Sequence, residues 1–468
     1  MFIFNFFKKL IIVFYNVNYK LLGKFQYDHI SRKFLNFKFN SLPAFKRNYN
    51  SILNNEIFNY SNLHPFIRFQ KSKILFNINP EKAAEEIKGY EILKKNWLQQ
   101  NPKYDERIDY LPAEKITGAI GNYTELFNYL NYRYNIENKV RKPRIIIPDK
   151  KLITNYHLFK YFEKYLDVVI SPKDFNKKRF IVEVNKLAID LASLFNGNYY
   201  PHPVAANFVN QQLRKMKDKK FDKFVLTDED REKGENEIKK FGVKKNDWYV
   251  LFHIRDRDGD NYRNSNPQTY LNAMQKVIDK GGWAIRVGRG DRFKFPKKER
   301  LIDYSVSSFA SDQLDVFLAA SCKFCVGTSS GFAPIPKYFG RPLLLTNCLP
   351  VAAYLELNES DIFLPKKLVN KKTKKDMTFK NYFSFPLNYY HSPDVFIKND
   401  IDFINNSEGD ISLAVEEMID LVEMKNNKEF KYKNDLFRKK LSKELKQDFD
   451  YDLSHECNFS KSTINNFI

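Results

Sequence analysis

The residues whose types and spacing name a chemistry lie between positions 248 and 347 of the chain. His253-Ile254-Arg255-Asp256 closes an apolar run, and in an extended segment His253 and Arg255 project to the same side. An imidazole and a guanidinium pointing together suit a phosphate-bearing ligand, because the planar fork of arginine grips phosphate oxygens in pairs. An exposed Arg255–Asp256 ion pair beside a structural histidine is the alternative. Arg286-Val287-Gly288-Arg289-Gly290-Asp291 follows a second apolar run; its glycines either admit a ligand close to the backbone or make a plain tight turn. Gly327-Thr328-Ser329-Ser330-Gly331 lies between a strand pattern and a helix pattern. Its hydroxyls and unpaired N–H groups are expected to face one point at the positive end of a helix dipole, as a diphosphate requires. A serine that merely caps the helix is the other reading.

Short apolar strands alternating with helical patterns must position these clusters. Tyr249 to Ile254, Trp283 to Val287, Phe324 to Val326 and Leu343 to Leu345 read as strands. Helices are expected over 267–280, stopping at Gly281-Gly282, and over 311–321 with Ser311 as cap. Pro334 and Pro336 keep the helix after Gly331 short. Such alternation predicts a parallel sheet covered on both faces, whose ligands gather at the carboxyl ends of the strands.

With those motifs in view, the chain resembles a family of bacterial glycosyltransferases found with surface-polysaccharide genes. HIRDRDGDNYRN, GGWAIRVGRGD, DVFLAASCKFCVGTSSG and the P-x-x-FG-x-P-x-x-x-TN ending carry the match over 248–347, with a weaker echo at 401–424. More distantly, the H-x-R strand end and the later serine-rich loop are similar to fucosyltransferases that use GDP-fucose. The resemblance implies an α/β chain of GT-B type: two Rossmann-like, doubly wound domains facing a cleft, with the nucleotide-sugar donor held by the C-terminal one. Carried over by position, Arg255 would hold the donor diphosphate, Ser329 and Ser330 would complete that cradle and His253 would lie beside the donor; His253, Arg255 and Asp256 are the candidate catalytic residues. Arg286, Gly288, Asp291, Thr328, Ser329, Ser330 and Gly331 would bind the donor, with no metal and no cofactor beyond the nucleotide sugar as substrate. Asp256 and His253 are both candidates for the base.

The rest of the chain supplies the frame. Its 468 residues leave room for two domains and appendages. The expected division is an N-terminal amphipathic extension (1–107), a Rossmann-like acceptor domain (108–226), a donor domain (227–424) and a charged, frayed tail (425–468). RIIIP at 144–148 and DVVI at 167–170 read as strands around a helix at 155–165, with a glycine loop at 118–121 facing the cleft. Residues 214–226 read as a linker and Lys366–Lys375 as a solvated loop. Thr227-x-x-Asp230 and Ser407-x-x-Asp410 read as helix starts.

Two motifs are discounted. Cys322-Lys323-Phe324-Cys325 has no second pair and no neighbouring histidine, so its cysteines read as small buried hydrophobes. Asp256-x-Asp258-x-Asp260 has Asn261 where a calcium loop needs glycine. Four cysteines without a secretory spacing point to a reducing compartment.

The net charge of +22 invites a nucleic-acid reading, yet the basic residues fall in separate runs with no nucleic-acid module among them. An anionic bilayer accounts for the charge better. In MFIFNFFKKLIIVFYNVNYKLLGKF, Ile3, Phe6, Phe7, Leu10, Phe14, Val17 and Leu21 share one helical face, and Lys8-Lys9 interrupt a run too short to span. The expected partners are therefore a nucleotide sugar, a glycan or lipid-linked acceptor and an anionic membrane surface, and the expected location is the cytoplasmic face of the cell membrane. A non-catalytic nucleotide-binding scaffold is the alternative of another class. Deleting residues 1–25 is expected to reduce co-sedimentation with vesicles containing anionic lipid; unchanged binding sinks the anchor.

Overall fold

A computed structural model describes residues 108–170, 209–445 and 457–467, apart from 112, 148, 258–261, 290–292, 352–355, 379–380, 383–395, 398 and 426–427, plus six helical positions between 85 and 99. The amphipathic helix expected over 1–25 and Asp291 lie outside the described residues.

The chain forms two compact units, one built from 1–118, 140–153 and 163–202, the other from 119–139, 154–162 and 203–468. In the first, β1 (Tyr110–Leu111), β2 (Arg144–Ile147) and β3 (Asp167–Ile170) make a parallel sheet in that order, with α1 (Ala113–Thr117) between β1 and β2. Ile145 and Ile147 are fully buried, and Arg144 bonds Asp167 on the neighbouring strand at 2.7 Å.

The second unit begins with α2 (Tyr123–Asn131), α3 (Tyr156–Glu163, its last residue aside) and α4 (Asp228–Lys239). The Thr227 side chain accepts from the Asp230 N–H, as the sequence pattern predicts. Residues 214–226 are not a free linker: Phe221 and Phe224 are buried, and the Phe224 N–H bonds the Tyr338 carbonyl. Aromatic rings spaced along a polar stretch gave it something to pack with.

Its centre is a sheet of β4 (Tyr249–His253), β5 (Trp283–Val287), β6 (Leu301–Asp303), β7 (Phe324–Gly327), β8 (Leu343–Cys348), β9 (Ile362–Pro365) and β12 (Asn458–Phe459), ordered β12-β9-β8-β7-β4-β5-β6 with every pair parallel. From β4 the chain winds outward through β5 and β6, then returns to lay β7, β8 and β9 on the other side. That is the doubly wound order, and its switch point lies between β4 and β7. β10 (Lys367–Asn370) and β11 (Ile401–Ile404) form a separate antiparallel pair.

Alternation along β4 divides the covering helices. Val250, Phe252 and Ile254 join a core with Met274 and Val277 of α5 (Leu271–Asp279) and Ile411 and Val415 of α8 (Glu408–Val422). Tyr249 faces the other way, its hydroxyl on the Leu318 carbonyl of α6 (Asp312–Ser321). α5 stops where Gly281 takes φ +85°, α6 is capped by Ser311, and α8 opens on a reciprocal Ser407–Asp410 capping box.

Two expectations fail here. Lys366, assigned to a solvated loop, is wholly buried, because the run Ile362 to Val369 continues as two strands across it. Nor do the described residues beyond 425 form a frayed tail. α9 (Lys428–Leu445) buries Phe430, Asn434, Phe437 and Leu441 at helical spacing, and β12 extends the main sheet. Asn434 exchanges both main-chain bonds with Phe459, and Glu417 of α8 accepts the Lys461 N–H at the start of α10 (Lys461–Phe467). Hydrophobic spacing of period 3.6 inside a lysine-rich stretch is the signal that outweighs its charge.

Burial raises the Glu417 carboxyl to about 7. The folded chain thus keeps this proton up to about pH 7, whereas the unfolded chain releases it near 4.5. Stability from this group is complete below pH 4.5 and declines as pH rises to 7. Glu417→Gln should flatten that part of the denaturation midpoint against pH; an unchanged slope assigns it elsewhere.

Candidate functional site at the sheet switch point

Parallel pairing sets His253 opposite Gly327, so the segments leaving β4 and β7 start side by side. They are tied at once. The Thr328 N–H bonds the His253 carbonyl at 3.2 Å, and the Arg255 N–H bonds Thr328 Oγ1 at 3.0 Å. Farther along, the Ser265 N–H returns to the Arg255 carbonyl at 2.9 Å, and Arg263 Nε holds the Ser329 carbonyl at 3.0 Å. The loop after β4 is thereby pinned across the loop after β7, with Arg255 and Asp256 half-buried between its ends.

His253 is buried, its ring stacked on Phe332 at 5.3 Å between centroids and its Nε2 3.5 Å from Ser330 Oγ. Burial, then the positive charges of Arg257, Arg286 and Arg255, press its pKa down to about 3. The ring is therefore neutral at pH 7 and surrounded by cations, a setting that an arriving anion improves.

The expectation that the hydroxyls of 328–330 face one point does not hold. Thr328 serves the Arg255 N–H, and Ser329 Oγ both donates to the Leu349 carbonyl and accepts the Leu349 N–H, each at 2.9 Å. Ser330 alone turns its hydroxyl toward His253. Hydroxyls beside a strand end satisfy the nearest main-chain groups first. The helix beyond is also later and shorter than expected: α7 spans only Ile335–Tyr338, since Pro334 and Pro336 lack N–H donors. Gly331 instead meets a second glycine. A Cβ there would lie 2.6 Å from the Gly121 Cα, so the turn at 120–122, in the same unit, is seated on the Ser-rich loop by absence of side chains.

Of the residues singled out in the sequence, His253, Arg255, Asp256, Thr328, Ser329, Ser330 and Gly331 come together at these two strand ends. Arg286 does not. Its guanidinium is fully buried, bonds the Phe293 carbonyl and Asp303, and lies 5.0 Å from the Phe295 ring centre. Gly288 takes φ +133° in the following turn, and Arg289 closes on Asp312 and Asp315 at 3.0 Å each. Among the described residues no group of three His, Cys, Asp or Glu side chains is placed to hold a metal ion.

No family model matches this chain, and no curated protein does. Solved structures overlap it loosely. The ADP-heptose LPS heptosyltransferase II of E. coli is 12% identical with a TM-score of 0.30, over 50% of this chain and 82% of its own. A glycosyl transferase of family 9 from Veillonella parvula is 12% identical with a TM-score of 0.27, over 70% of this chain and 86% of its own. The iron-containing dodecameric glycosyltransferase TibC of enterotoxigenic E. coli is 11% identical with a TM-score of 0.29, over 50% and 56%. At such overlap these likenesses decide nothing about the chemistry, which stands on the residues themselves.

Reading by local spacing passed over Arg263 at these strand ends and the burial of Lys366, whereas Gly121 lies in the glycine loop singled out at 118–121. Arg263 belongs to the NYRN segment just past the Asp-rich loop, and its reach back to Ser329 is a contact 66 residues away in sequence. Lys366 had one signal, a lysine inside an apolar run.

If the Thr328 hydroxyl sets the position of Arg255, Thr328→Val should cost about 1 kcal/mol in denaturant unfolding, the lower end of the penalty for an unsatisfied N–H, because this one is part-buried. Thr328→Ser should restore most of it. Equal stability of the Val chain would show that the tie positions nothing.

Proposed function

We propose that this chain is a glycosyltransferase of GT-B type that moves a sugar from a nucleoside-diphosphate-sugar donor to a glycan or lipid-linked acceptor in bacterial surface-polysaccharide synthesis. The observation that carries this reading is the meeting of Arg255 and the 328–331 loop at the switch point of a doubly wound parallel sheet, the place where such sheets bind nucleotides. Arg255, half-buried on a pinned loop, is the grip for the diphosphate, and Arg263 is a neighbouring cation. As the glycosidic bond breaks, the departing diphosphate gains negative charge, and cations already held in place stabilise that change without reorganising.

The acceptor hydroxyl must lose a proton. His253, buried and neutral at pH 7, and Asp256, half-buried beside Arg255, are the two groups proposed to take it. The three-stranded parallel sheet of the first unit fits an acceptor domain of the same class.

Membrane attachment belongs to the same reading. No helix among the described residues is long and apolar enough to cross a bilayer. The outward face of α9, however, exposes Lys428, Lys431, Lys439, Lys440 and Lys443 around Tyr432 and Leu436, which are 64% and 44% exposed. Basic side chains around an apolar strip favour anionic headgroups. The cytoplasmic membrane face is accordingly the proposed location.

A thermal-shift screen of UDP-, GDP-, ADP-, CMP- and dTDP-sugars should show one base stabilising the chain. With that donor, Arg255→Ala should lower transfer by about 100-fold or more, the scale of removing one transition-state donor, while the melting midpoint holds. Full activity in the variant, or no shift with any donor, would overturn the assignment.

A further inference from the structure

Lys366 stands between β9 and β10 and is 0% exposed. Its ammonium donates to the Asn264 carbonyl and, at 2.7 Å, to Asn405 Oδ1, and it lies 4.9 Å from the centre of the Phe403 ring. An ammonium carries three N–H donors. Two have partners here, both neutral, and no carboxylate among the described residues pairs with it. A buried charge without a counter-charge is costly. That cost pushes Lys366 down to about 8, with burial the leading cause.

Its position gives the missing anion an address. Asn264, whose carbonyl holds the ammonium, directly follows Arg263, whose guanidinium holds the Ser329 carbonyl. Cys348, 3.3 Å from Ser329 Oγ, feels the positive charge of both Arg263 and Lys366. Lys366 thus approaches the 328–330 loop from the β9 side, while Arg255 approaches it from β4.

We propose that Lys366 is a further anion-binding residue of the donor site, giving its remaining N–H to a phosphate oxygen of a nucleoside diphosphate. The inference rests on the reading of that loop as the diphosphate cradle. It also accounts for an expensive group in a core that a methionine would fill more cheaply. Close to it, burial pushes the Cys348 thiol up to about 12, clear of the range in which Lys366 titrates.

The test uses the full chain and UDP, GDP and ADP as probes, with affinities measured by calorimetry from pH 7 to 9. A terminal phosphate has a pKa of about 6 and is about nine-tenths ionised by pH 7, and the adenine of ADP does not titrate between pH 7 and 9, so with ADP the larger changes in that range belong to the protein. The unaltered chain should lose affinity as pH passes about 8, because binding needs the charged amine. Lys366→Met should weaken binding about tenfold, as loss of one charge-assisted bond predicts, and abolish the pH dependence. Lys366→Arg should restore affinity and hold it level to pH 9.

If Lys366→Met binds with parental affinity and pH dependence, the inference is overturned, and Arg255→Ala measured alongside shows whether the cradle itself survives. Weakening by Lys366→Met beside unaltered binding by Arg255→Ala places the anion at the lysine and removes it from the cradle, overturning the proposed function instead. Should Lys366→Met fail to fold, the parental pH series and Lys366→Arg decide: affinity level from pH 7 to 9 in the parent sinks the idea.

Discussion

The adjacency of β4 and β7 is the constraint on which the rest depends. Two parallel strands that neighbour each other in space, with β5 and β6 between them in sequence, leave their carboxyl ends abreast and their outgoing loops diverging to opposite sides. Main-chain groups that would otherwise continue the ladder end there, and they are satisfied by one another: the Thr328 N–H by His253, the Arg255 N–H by the Thr328 hydroxyl. Everything assigned to the site is fixed relative to that small knot. Helices on both faces serve it by burying the strands so completely that their ends have little freedom left.

Around the knot several cations gather beside the carboxylate of Asp256. Arg255, Arg257, Arg263 and Lys366 approach from the loops, and the buried imidazole of His253 is driven to its neutral form by burial and by the arginines near it. At Lys366 folding has placed positive charge where water is scarce, a costly arrangement that a bound anion would relieve. Arg286, also buried near the end of a strand, has Asp303 on the neighbouring strand as its opposite charge.

Most of the central sheet was legible from short-range pattern. Apolar runs of strand length, glycines at 281–282, Ser311 before a helix and the Ser407-x-x-Asp410 box each act within a few residues, and each element formed near its expected bounds. The failures share a cause. Residues 214–226, Lys366 and the stretch after 425 were judged by their charge, whereas their fate was set by Phe224, by the strands on either side of Lys366, and by Phe430, Phe437 and Phe459 finding a core. A few buried aromatics outweigh many solvated lysines, since each ring removes a large apolar area from water and a surface lysine contributes little either way.

By itself, then, the sequence determined the alternation of strands and helices, the order in which they come, and the placing of His253, Arg255 and the 327–331 loop at strand ends. Those features follow from backbone periodicity and capping, which are local. Tertiary structure alone decided that Arg286 turns inward to Asp303, that Ser329 is held by Leu349, that Gly121 lies against Gly331 and that Lys366 is buried beside the loop. Each is a choice of partner across 17 to 210 residues of chain. A polar side chain takes whichever acceptor, donor or void the packed sheet brings within about 3 Å, and no local pattern records which one that will be.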